Sequence, residues 1–145
     1  MGESILHLED VAVFNEINLE IKKGEFVYLI GKTGSGKSSF MKLLYGDLPL
    51  LEGSGTIVDF DLKTLKEKDI PYLRRKLGIV FQDFKLLPDR SINNNLRFVL
   101  KATGWTDDSL MDAKIEEVLG KVGMKTKGFK FPHELSGGEQ QRIAI

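Results

Sequence analysis

Nine consecutive residues carry the clearest chemistry in the chain: Gly31, Lys32, Thr33, Gly34, Ser35, Gly36, Lys37, Ser38 and Ser39. They satisfy the spacing G-x-x-x-x-G-K-[ST] without a mismatch. A glycine-rich turn of this kind gathers backbone N–H groups into a concave anion site. A helix beginning at Lys37 adds unpaired donors and its positive end. Lys37 is then placed to reach outer phosphates, and the Ser38 hydroxyl to ligate Mg²⁺. The pattern needs a strand before it and a helix after it. Residues 26–30 (FVYLI) read as a short buried strand, and residues 37–45 as a helix with Phe40, Leu43 and Leu44 on one side. The plain alternative, a Gly/Ser loop with a lysine nearby, leaves that context unexplained.

A second stretch, residues 135–142, reads LSGGEQQR. Ser136 and Glu139 stand three apart, as in a capping box. Gly137 and Gly138 leave that helix start bare, so its N–H groups can meet an anion. Between the two stretches, Gln82 follows the apolar run 77–81. Taken alone, Gln82 is a surface amide.

The elements that must hold these groups follow from periodicity and turn chemistry. Residues 4–8 and 17–21 have strand lengths and apolar content, joined by 9–16. Residues 22–25 (KKGE) turn into the strand 26–30. Gly46 and Pro49 end the first helix. Residues 53–55 (GSG) read as a turn, 56–60 as a short strand, and 62–68 as a helix or a loop. Pro71 opens a short helix through Lys76, with Arg74, Arg75 and Lys76 as a solvated face, and 77–81 is a buried strand. Ser91 caps a helix with Ile92, Leu96, Val99 and Thr103 at helical spacing. Asn93, Asn94 and Asn95 are its solvated face. Asp107 or Asp108 caps another helix, with Met111, Ile115, Val118 and Val122 aligned. A basic loop, 123–131, leads to the last helix, 139–145. The expectation is an α/β chain with a mixed sheet: a core over about 1–81, then a helical lobe, about 82–128, and the second stretch.

The chain has 145 residues and formal net charge zero, so no bulk basic field argues for nucleic acid. It has no cysteine, which excludes disulfides and thiolate metal sites and fits a reducing compartment. The start, MGESILHLED, lacks the apolar core of a signal peptide. No apolar run approaches the roughly 18 residues of a membrane span, so a membrane role is expected to come through a partner. His7 and His133 have no neighbours suggesting a triad or metal site, and both read as structural.

GKTGSGKSS together with LSGGEQQR resembles the nucleotide-binding subunits of ABC transporters, where the second octet is the signature motif. The order, with a lone glutamine after a strand between them, also matches. Within that class, residues 70–100 (IPYLRRKLGIVFQDFKLLPDRSINNNLRFVL) are similar to the FtsE-type cell-division subunits, as are LLYGDLPLLEGSGTI and FPHELSGGEQQRIAI. Lipoprotein-releasing and macrolide-export ATPases have similar segments. The resemblance implies a P-loop NTPase fold, binding of ATP with Mg²⁺, and head-to-tail homodimers. Each ATP would lie between residues 31–39 of one copy and Ser136, Gly137, Gly138 and Glu139 of the other. It implies that Ser38 and Gln82 meet the metal and that Gln82 senses the γ-phosphate. It also implies a permease of FtsX type, which would bring the chain to the inner face of the cell membrane. Phe84, Leu86 and Leu87 would wall the groove that receives it, or serve as ordinary core.

The chain departs from the family pattern in two places. No tyrosine stands in residues 9–16, the shortened segment where the family's adenine-stacking aromatic would fall; Phe14 is the only candidate there. The family's Mg-binding aspartate, catalytic glutamate and switch histidine follow the signature and would lie past Ile145. In-line attack on a γ-phosphate needs a positioned water as well as charge stabilisation. The expectation for these 145 residues is therefore nucleotide binding with little or no hydrolysis, and no catalytic residue is identified among them. A non-hydrolysing, nucleotide-dependent interaction module is the alternative. Chromosome-maintenance ATPases share the signature, but they place long coiled coils between motifs that here lie only about 100 residues apart.

Overall fold

The structure, a computed structural model, describes residues 3–12 and 16–145. It divides into two compact units, one ending at Gly78 and one running Ile79–Ile145.

The first unit is built on a four-stranded antiparallel sheet in the order β2-β1-β3-β4. Its strands are β1 (Ser4–Ala12), β2 (Glu16–Lys22), β3 (Ser54–Ile57) and β4 (Phe60–Asp61). Leu6 and Leu8 of β1 point into the core while His7 and Glu9 are exposed, as alternation requires. Strict alternation would place Val11 outside. An irregularity between Leu8 and Val11, which pair with Leu19 and Ile17, turns it inward, and Val11 is fully buried. Phe40 and Leu43 of α1 (Lys37–Leu44), Leu50, Ile57, Leu62 and Leu73 of α2 (Ile70–Arg75) complete this core. Gly46, at φ +72°, closes α1, its N–H donating to the Leu43 carbonyl while that of Asp47 donates to Lys42.

Three expectations are corrected here. Residues 26–30 form no strand, and Phe26, Tyr28 and Ile30 are 81, 79 and 86% exposed. A buried strand needs ladder partners and covered faces. The four described strands pair only with one another, so this run has neither. Residues 77–81 also lack a ladder, for the same reason. Residues 56–60 are not one strand: Thr56 and Ile57 end β3, Phe60 begins β4, and Val58 and Asp59 between them turn at positive φ, 41° and 70°.

The second unit holds α3 (Ile92–Ala102), α4 (Asp108–Lys121) and α5 (Gly137–Ala144), with 3₁₀ turns at Lys125–Lys127 and Pro132–Glu134. Ser91 and Asp107 cap α3 and α4, accepting from the N–H groups of Asn94 and Leu110. Ile92, Ile115, Leu119, Met124, Leu135 and Ile143 form its core. Asn95 is buried rather than solvated, a further correction. Its amide bridges the chain entering α3: Oδ1 accepts from Leu87 N at 2.7 Å, and Nδ2 donates to the carbonyls of Leu87, Arg90 and Ser91. Every side-chain hydrogen-bonding position of that amide facing the loop is used, which makes burial tolerable.

Candidate functional site

Residues 31–36 leave the ladder-free run and turn sharply. Gly34 sits at φ +82° and Gly36 at φ +84°, a left-handed region that side chains disfavour. Gly36 is the N-cap of α1 and offers no side chain, so the first N–H groups of the helix have no cap. Gly31 is close to the other limb of the loop: a Cβ there would meet Ser35 Oγ at 2.7 Å. The Ser35 N–H donates to the Lys32 carbonyl at 3.1 Å, which fixes the turn.

Lys37 folds back over this loop. Its ammonium donates to the carbonyls of Gly31 at 2.6 Å and Lys32 at 2.7 Å, and to Ser35 Oγ at 3.3 Å. No carboxylate is among these partners, so the full positive charge stays with the loop. Lys32, Thr33, Gly34, Ser35 and Ser38 are exposed, while Lys37 and Ser39 are half-buried. The loop thus gathers donors next to a cation: uncapped helix N–H groups and the Ser35 hydroxyl beside the Lys37 ammonium, with Ser38 exposed in the first turn of α1. Such a set binds phosphate.

Gln82 lies in the second unit, exposed in a turn. Phe84 and Lys85 follow it at φ 58° and 52°, two left-handed residues in succession without a glycine. The Phe84, Leu86 and Leu87 side chains line an apolar cavity of about 510 Å³ together with Leu96, Ile115 and Val118. The sequence offered these three residues as groove wall or core; the cavity they line is also lined by the core residues Ile115, Leu119 and Ile143, and Leu86 packs against that core.

At α5, the expected capping box is present. Ser136 Oγ accepts from Glu139 N, and Glu139 Oε2 accepts from Ser136 N at 2.9 Å and Ser136 Oγ at 3.0 Å. Glu139 Oε1 accepts from the Lys127 ammonium at 2.6 Å. That ammonium, and then the two Ser136 donors, hold the Glu139 carboxyl down at about 2 against an ordinary 4.5. Gly137 and Gly138 are exposed, with open space where side chains would stand. Sequence reasoning missed Lys127. Its only signal was membership in the basic loop 123–131.

Other candidates fall away. Arg74 lies over the Tyr45 ring and against Asp47, Arg75 over Tyr72, and Lys76 near Asp59 and Phe60, so the basic run serves local contacts. His7 is exposed on β1, and His133 stacks at a tilt beside Phe131. Among the described residues no cluster of His, Asp and Glu could hold a metal. No helix among them is long and apolar enough to cross a membrane. Phe14, the adenine-stacking candidate, lies outside the described residues.

With the two helix starts in view, comparison with known proteins decides the family. The family model for ABC transporters matches residues 14–145. The chain belongs to the ABC transporter family. It is 46% identical over 135 residues to the cell division ATP-binding protein FtsE of Bacillus subtilis, covering 93% of this chain and 59% of that one. It is 44% identical to FtsE of Mycobacterium tuberculosis, covering 90% of this chain and 56% of that one. The chain thus spans a little under three fifths of the length of these relatives. Among solved structures, the dimeric ATP-binding cassette MJ0796 in a post-hydrolysis state with ADP and Pi superposes with a TM-score of 0.84. Sequence identity there is 28%, and the match covers 96% of this chain and 66% of that one. In this chain the antiparallel sheet and the helical unit are the parts formed by the described residues.

Proposed function

We propose that this chain is the nucleotide-binding part of an FtsE-like ABC ATPase subunit, which works by pairing with a second copy and engaging a membrane permease. The observation that carries the reading is the phosphate loop itself: an uncapped helix start at Gly36, with Lys37 bonded to loop carbonyls and no carboxylate. The donor set fits a nucleoside triphosphate. In this reading the N–H groups of residues 33–38 surround the phosphates and Lys37 moves from the loop carbonyls to phosphate oxygens. The Ser38 hydroxyl and the Gln82 amide oxygen are neutral oxygen ligands, which suit an Mg²⁺ that keeps waters and phosphate oxygens as its other ligands. Bound there, Mg²⁺ supplies charge neutralisation of the phosphates. The assignment of Gln82 rests on the family's motif order.

Ser136, Gly137, Gly138 and Glu139 offer a second uncovered helix start to the nucleotide held by another copy, as the family's head-to-tail pairing implies. Dimeric ABC cassettes among the structural neighbours support that arrangement. The FtsE relatives support an ATP-binding subunit of a cell-division system. An FtsX-type partner seated against Phe84, Leu86 and Leu87, attachment to the inner face of the membrane and hydrolysis by the whole subunit follow from the family resemblance. These residues alone are expected to bind nucleotide with little or no hydrolysis. A lipoprotein- or macrolide-exporter subunit is the nearest rival, and the identity to FtsE chains favours the first reading.

The test is Mg-ATP binding by calorimetry with the wild-type chain and Lys37→Met. Loss of a charge-assisted contact of about 1.5–3 kcal/mol weakens binding roughly 10- to 150-fold. Equal affinity in the two proteins would reject the phosphate-loop reading.

A further inference from the structure

Glu139 poses an electrostatic problem for the proposed function. A carboxylate at the start of α5 favours the helix, since it completes the capping box and faces the positive end of the dipole. The same carboxylate opposes an incoming phosphate of like charge. The structure supplies an answer in Lys127. Among the carboxylates in ion pairs of the described residues, Glu139 is the least exposed, at 18% of its side chain. Its two oxygens divide their work: Oε2 takes both Ser136 donors, and Oε1 takes the Lys127 ammonium.

Lys127 is itself held in place by its backbone. Its N–H donates to the Met124 carbonyl at 2.9 Å, and its carbonyl accepts from Lys130 N at 3.0 Å. The neighbouring carbonyls of Gly128 and Lys130 accept from Asn93 N and Ile92 N, both at 2.8 Å, which ties the loop to the first turn of α3. The cation is therefore presented by a braced loop rather than a free surface stem. The pairs Lys114–Glu117 and Lys121–Glu117 lie along one helix, and their shared carboxylate is more exposed than that of Glu139.

We propose that Lys127 is a positioning residue for the signature helix: it neutralises the Glu139 carboxylate and holds it in the capping box, so that the bare Gly137–Gly138 start can accept a phosphate. The proposal rests on the reading of that helix start as a nucleotide contact.

The experiment follows the amide resonances of Gly137 and Gly138 in the isotopically labelled full chain during titration with Mg-ATP. Wild type, Lys127→Met, Lys127→Arg, Glu139→Gln and the double variant Lys127→Met/Glu139→Gln are compared. In wild type the two resonances shift and saturate. Lys127→Met needs about tenfold more nucleotide, because an unneutralised Glu139 carboxylate then opposes the phosphate. Lys127→Arg responds as wild type, because an arginine keeps the charge, and the double variant binds more tightly than Lys127→Met, reaching the level of Glu139→Gln, because a glutamine still completes the box without a charge. Glu139→Gln alone sets the level that the double variant is to reach. A purely structural ion pair gives a different pattern: the double variant stays as weak as Lys127→Met, which overturns the proposal. So does a Lys127→Met titration indistinguishable from wild type. If wild-type Gly137 and Gly138 stay still while the amides of residues 33–38 move, the nucleotide reading of α5 fails and this proposal fails with it.

Discussion

Lys37, Glu139 and Asn95 show how differently single residues disclose themselves. The positions of Lys37 and Glu139 follow from spacing, because the phosphate loop and the capping box are local in sequence and their hydrogen bonds close within six residues. Asn95 belongs to a run of three asparagines on a helix, and composition alone assigns it to solvent. What buries it is the chain entering α3, whose Leu87 and Arg90 carbonyls have no ladder to join and take the side-chain amide instead, as the Leu87 N–H takes its oxygen. Asn95→Leu keeps the volume but leaves those groups unpaired. We expect a loss of about 1–3 kcal/mol, the penalty for orphaned buried polar groups. Urea unfolding read on the helical unit measures it, and a change within 0.3 kcal/mol would mean that water replaces the amide.

At the scale of elements, local signals succeeded wherever a cap or a turn decides the outcome. Ser91, Asp107, Ser136 and the Gly24 turn all stand where turn chemistry puts them. The failures are non-local. FVYLI has strand composition, yet strand formation needs partners, and none of the described strands pairs with it. The stretch GSG reads as a turn, yet Ser54 and Gly55 begin β3 and pair with Glu9 and Leu8. Gly55 is there for room: a Cβ would meet Leu8 Cδ2 at 2.6 Å, with His7 O and Leu62 Cδ1 each at 3.4 Å. Leu8 is 1% exposed and cannot swing away. Gly55→Ala therefore overpacks the sheet, and we expect a cost of about 1–3 kcal/mol. The denaturation midpoint of the first unit should fall with an unchanged slope. A rise would show that the backbone entropy saved outweighs the clash.

At the scale of the molecule, each unit has a core of its own, and the two candidate phosphate contacts fall on different units. The phosphate loop is braced by Phe40 and Leu43, whose core contains only residues of the first unit. The signature helix is braced by Leu135 and Ile143, whose core contains only residues of the second. Separate cores allow separate opening, and hydrogen exchange resolves such units by their opening free energies. Leu8→Ala removes a fully buried side chain from the first core and should lower its stability by about 2–5 kcal/mol. Amide protection in β1 and β3 then falls by that amount, while α3 and α4 keep theirs. Leu119→Ala should do the reverse. An equal loss of protection in both units from either substitution would show that they open as one body. The phosphate loop and the signature would then be coupled within a single chain, before any second copy is engaged.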